Sequence, residues 1–202
     1  MTVLMIAGSS YGQSFEGKIT YQNTYKSKVP NMTDEQLKSA MGESQIYLIK
    51  GGNYRSDLDS DQFLWSIYVN KDNRLYSKMA KSDTIYWIDA GKKSGEIQSV
   101  QINRGVTDIL GYKCDEVIFT LKDGIEKYYF SSKLPVVPAL YSRHLYGNWY
   151  DYLKIAKALP LKSVVENSQF VITSLATEVK AMKLENKDFR IPQNAKTTKS
   201  PY

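Results

Sequence analysis

Phe63-Leu64-Trp65-Ser66-Ile67-Tyr68-Val69-Asn70-Lys71-Asp72-Asn73-Arg74-Leu75-Tyr76-Ser77-Lys78-Met79 is two β-rich runs separated by a polar turn. Phe63, Trp65, Ile67 and Val69 share one parity, the period of two that puts alternate side chains on one face of a strand. Lys71-Asp72-Asn73 is turn chemistry, because short polar side chains bond their own backbone and tolerate a reversal. The same unit recurs on both sides of this stretch. Runs at 45–50, 53–59, 84–89 and 96–103 are divided by Gly51-Gly52, Ser60-Asp61, Lys81-Ser82-Asp83 and Gly91-Lys92-Lys93. Strands at such short spacing, with no helical pattern between them, predict an antiparallel meander rather than βαβ units.

Upstream, Phe15, Ile19, Tyr21 and Tyr25 alternate with polar residues and predict a strand over 15–25. Thr33 with Gln36 three residues on forms a capping box, and Asp34 and Glu35 suit a first helical turn, so a helix is expected over 33–42. Downstream, Tyr112–Leu121 and Ile125–Ser131 flank Asp123-Gly124, a strong signal for a tight hairpin. The segment 135–148 breaks the rhythm with prolines and aromatics and reads as a loop or lid; 149–158 reads as a short helix. Strands return at 161–166 and 170–182, and the Lys/Thr/Ser-rich tail from Gln193 is expected to fray.

Composition agrees with sheet. The 202 residues include 16 tyrosines, whose rings fit a half-buried pleated surface while the hydroxyl reaches water. Val3, Leu4, Met5, Ile6 and Ala7 followed by small residues look like the end of a secretory signal, truncated because no cationic residue precedes Lys18. The expected organisation is a signal-peptide remnant at 1–13, one β domain at 14–192 and a flexible tail at 193–202. No further run reaches the length of a membrane-spanning helix.

The single cysteine, Cys114, excludes an intrachain disulfide and a cysteine metal site, and reads as a buried small hydrophobe. The single histidine, His144, excludes multi-histidine metal centres and sits in no nucleophile elbow. Asp57, Asp59 and Asp61 alternate near a turn and read as solvated acids rather than a calcium site. The net charge is +6, but the lysines are scattered and no nucleic-acid module accompanies them. No catalytic residue, metal or cofactor is expected, and the chain is not expected to be an enzyme.

Four short landmarks carry a family resemblance. Gly17-Lys18-Ile19-Thr20-Tyr21 resembles the first strand of an uncharacterised family of exported β-rich proteins, and Ile109-Leu110-Gly111-Tyr112-Lys113-Cys114 resembles its mid-chain hairpin start. Pro160-Leu161-Lys162 and Phe189-Arg190-Ile191-Pro192 resemble its later strand start and its end. That family is related to GLPGLI-type proteins and is similar to the LolA and LolB lipoprotein carriers. The resemblance implies a mainly β fold with a few helices, in which a curved antiparallel sheet forms an open half-barrel with helices on its concave face. It also implies an exported, periplasmic or outer-membrane-associated protein binding a lipid, an acylated protein or another apolar ligand. Phe63, Trp65, Ile67, Val69, Ile85 and Trp87 are the candidate groove lining. The alternative is an envelope interaction module whose groove is filled by its own helix and which docks a protein partner.

Overall fold

The computed structural model describes residues 14–201. Its strands are β1 (Gly17–Ser27), β2 (Ser44–Lys50), β3 (Asn53–Leu58), β4 (Phe63–Val69), β5 (Arg74–Met79), β6 (Ile85–Asp89), β7 (Ile97–Ile109), β8 (Tyr112–Leu121), β9 (Gly124–Pro135), β10 (Ala158–Asn167), β11 (Phe170–Ala181) and β12 (Thr197–Lys199). Two α-helices, α1 (Asp34–Met41) and α2 (Trp149–Ala156), interrupt them. All the strands join one sheet in the order β12-β6-β5-β4-β3-β2-β1-β11-β10-β9-β8-β7. Two serial meanders therefore meet along a single seam, β1 against β11.

The predicted turns do what their residues favour. Gly51 and Gly52 both take positive φ, 51° and 86°, which a two-residue hairpin twisted like its strands requires. At the Asp123-Gly124 turn, a Cβ on Gly124 would stand 2.0 Å from the Glu166 carbonyl, so only glycine lets β9 pass that close to β10. The capping box forms as expected. The Thr33 hydroxyl accepts from the Gln36 amide at 3.1 Å, and the Gln36 side chain accepts from the Thr33 amide at 2.8 Å.

The sheet is open and curved. A flat sheet would hold β3 and β9 about 24 Å apart. Yet Trp149 at the start of α2 meets Tyr54 of β3 at 6.2 Å between ring centroids, while Tyr152, one turn on, lies 4.5 Å from Tyr128 of β9. The walls thus bend round α2, helped by register shifts in β1, β4, β7 and β10 that add local twist. This is an open half-barrel with its helices on the concave side, as the resemblance implies.

Two features complete the fold. Thr197–Lys199, within the Lys/Thr/Ser-rich tail, pairs in parallel with β6, with the Ile85 amide donating to the Lys196 carbonyl. What fills the concave face is α2 and the segment before it, whereas α1 roofs only one end.

Candidate functional site

Register decides which side chains face inward. Tyr54, Tyr68 and Leu75 are mutual partners across β3, β4 and β5, and Ser56, Ser66 and Ser77 form the next rank. These are the concave face. Arg55, Ile67 and Tyr76 share the opposite, convex face with Trp87, as do Trp65 and Ile85. Trp65, Ile67, Val69, Ile85 and Trp87 therefore do not line the groove expected from their polarity. Ile67, Trp65 and Val69 are covered instead by Leu184, Phe189 and Ile191 of the chain that returns over the convex face. Trp87 lies under the Arg74 guanidinium, 3.8 Å from its ring centroid. Phe63 is the exception. A register shift between Phe63 and Trp65 turns Phe63 to the side of Met79, on the concave face.

One end of that face is filled with aromatic rings. His144 is 1% exposed, 4.3 Å from the Tyr68 ring and 2.8 Å from the Tyr54 hydroxyl through Nε2. Tyr141 packs on Tyr68, and Trp149 bridges Tyr141 to Tyr152. Burial pulls the His144 pKa down to about 4, because an imidazolium would lose its hydration among these rings. Asn148 anchors the start of α2 by donating to Glu126 of β9 at 3.2 Å, and the Tyr128 hydroxyl donates to the same carboxylate. Burial pushes the Glu126 carboxyl above its ordinary range. Cys114 is buried and free, and burial raises its thiol. These groups hold the insertion in place.

The other end is different. Between α1, the chain around Val29 and Phe170, and the ends of β4 and β5 lies a hollow of about 1080 Å3. Its walls include Val29, Met32, Leu37, Phe63, Met79 and Phe170, with Glu35, Asp61 and Lys81 also lining it. Met32 and Phe63 remain 42% and 37% exposed, although both belong to an apolar wall. Sequence reasoning found only Phe63 of this site. The signal it missed is methionine, an adaptable side chain, at 32, 41 and 79.

The three acids near the turn act separately. Asp57 takes a bidentate contact from Arg55, Asp59 accepts from the Ser44 amide at 2.7 Å, and Asp61 accepts from the Ser39 hydroxyl. Among the described residues, no group of three or more metal-ligating side chains comes together, and no helix is long and apolar enough to cross a membrane.

Neither a protein-family model nor a curated protein sequence matches the chain. Among solved structures, PNGF-II in its P21 crystal form is similar, with a TM-score of 0.51 and 16% identity over 93% of this chain and 32% of that one. The C2 form gives 0.51 and 15% over 93% and 31%. The chain thus spans about a third of PNGF-II, and at this identity the likeness is one of fold. Mycobacterium tuberculosis lipoprotein LppX overlays more loosely, with a TM-score of 0.37 and 7% identity over 83% of this chain and 90% of that one, too loosely to bear on function. By structure and comparison together, the chain is a mostly β, open half-barrel whose concave face is filled at one end and hollow at the other.

Proposed function

We propose that this protein is an exported, non-enzymatic binding module of the cell envelope that holds an apolar ligand, a lipid or an acyl chain, in the hollow beneath α1. The observation that carries this reading is the contrast in filling. The α2 end of the concave face is packed with the protein's own rings, while Met32, Phe63, Met79 and Phe170 line a space of about 1080 Å3 at the other end. That volume lies at the upper end of the range for small-molecule sites. An acyl chain entering it gains about 0.8 kcal/mol for each buried CH2. Export rests on the apolar run at 3–7, which lies outside the described residues.

Native mass spectrometry of protein purified without detergent tests the reading. A lipid-mass adduct that is lost in Phe63→Asp and Met79→Lys, but kept in Trp87→Asp on the convex face, supports it. A bare mass that stays bare after incubation with envelope lipids rejects it. The second reading, a docking module for an envelope protein, draws support from α2, whose Tyr152 and Leu153 are fully buried where a groove would otherwise lie open.

A further inference from the structure

Midway along the concave face, between the rings around α2 and the hollow under α1, lies a second, smaller cavity of about 300 Å3. Its chemistry sets it apart. None of its lining side chains is charged; four are serines (Ser56, Ser66, Ser163, Ser174) and four are tyrosines (Tyr21, Tyr47, Tyr54, Tyr128), with Trp149 alongside. Tyr47 is only 8% exposed, stacks on Tyr54 at 5.3 Å, and its hydroxyl has no hydrogen-bond partner among the described residues. The hydroxyls of Ser66, Ser163 and Ser174 are likewise unpartnered by protein, and the Trp149 indole N–H is buried with no acceptor.

A cavity walled mainly by ring carbon and dotted with hydroxyls that no protein group engages suits a guest with both an apolar face and hydroxyls of its own. An acyl chain would strand these hydroxyls, at a cost of about 1–3 kcal/mol for each one left unpaired. A charged guest would lose its hydration with no counter-charge in the lining. The fitting ligand is uncharged, carries hydroxyls round its rim and presents an apolar face to aromatic rings. The volume, at the lower end of the range for small-molecule sites, limits it to about one ring. We infer that this cavity binds a neutral pyranose sugar. It is a site distinct from the hollow under α1 and independent of the reading given for that hollow.

The test is a titration of the isotope-labelled full chain, followed by amide NMR shifts, with glucose, galactose and N-acetylglucosamine, and with glucuronate and glucosamine as charged counterparts. The inference expects at least one neutral sugar to shift amides around Ser66, Ser163 and Ser174, with roughly tenfold weaker binding of the charged counterparts. Tyr47→Phe, which keeps the ring and removes one hydroxyl, is expected to weaken that binding roughly fivefold while leaving thermal unfolding unchanged. Excess palmitate is expected to leave it intact, since an acyl chain would strand the hydroxyls of this lining. Three outcomes overturn the inference. They are no shift at tens of millimolar of every neutral sugar, equal binding of the charged sugars, and wild-type binding by a folded Tyr47→Phe.

Discussion

The two ends of the concave face are built from the same strands and treated oppositely. At the α2 end, most of the rings brought in by the insertion meet rings from the sheet: Tyr141 on Tyr68, His144 between Tyr54 and Tyr68, Tyr152 on Tyr128. At the α1 end, Leu37 is the one helix residue that is buried, and the methionines and phenylalanines around it face open space. A helix laid across a curved sheet can thus be a filling or a roof, according to how many large side chains it sends down. The α2 sequence sends Tyr152, Leu153 and Ala156 into the core, whereas α1 sends Leu37.

The largest expected break in that contrast is mutational. Tyr152→Ala removes a fully buried ring and its 2.9 Å hydrogen bond to the Ala158 carbonyl, and is expected to cost roughly 4 kcal/mol in denaturant unfolding. Met32→Ala at the roofed end is expected to stay within about 0.5 kcal/mol of the parent. Equal losses at the two ends would mean that the hollow is closed in solution.

Acid is expected to act on the filled end next. His144 is held neutral when folded, with its pKa near 4, while the unfolded chain titrates near 6.5. Above pH 6.5 both states are neutral and His144 adds no pH dependence. Between pH 6.5 and 4 the unfolded state takes up the proton first, so stability falls, by roughly 3 kcal/mol over the whole window. Glu126, whose pKa is raised, works in the opposite sense, so the loss is read as the difference between the parent and His144→Gln. A His144→Gln variant with the parent's acid profile would assign that loss to other groups.

At the roofed end the helix itself can be loosened. Thr33→Ala removes the cap of α1 and is expected to cost about 1 kcal/mol in thermal or chemical unfolding, with a parallel fall in acyl-ligand affinity. A loss of stability without a loss of affinity would separate the helix from the ligand. The smallest effect belongs to the seam's convex surface, where Lys18 and Glu178 pair at 2.6 Å with the glutamate side chain half exposed. Lys18→Gln is expected to change stability by less than about 1 kcal/mol, and still less in high salt.

Most strands, their turns and the α1 cap were legible in the sequence, because each rests on neighbours: Gly51-Gly52, Asp123-Gly124, Thr33 with Gln36. Which side of the sheet is inside was not. In β4 the odd positions are the more apolar, but the side chains that cover them, Leu184, Phe189 and Ile191, come from the far end of the chain. The true inner face is written in tyrosine and serine, residues whose hydroxyls disguise a core position as a surface one. Tyr68, with 0% exposure, is the clearest case. The hollow was legible only through Phe63, and then through a parity that the register shift beside it reverses. The small polar cavity drew no signal, since its walls come from β1–β4, β9–β11 and α2 and no short stretch holds them together.

The seam between the two meanders has a consequence for how the chain comes together in time. Along β2 to β6, and along β7 to β11, strands pair mainly with those next to them in sequence, so each half closes only short loops and can zip up locally. β1 is the first strand in sequence, yet half of its ladder waits for β11, with Gly17 opposite Ala181. Closing so long a loop is what slows a β topology. The β1–β11 ladder is therefore expected to form late, and any half-sheet that closed before it would leave the interior side chains along that seam facing water.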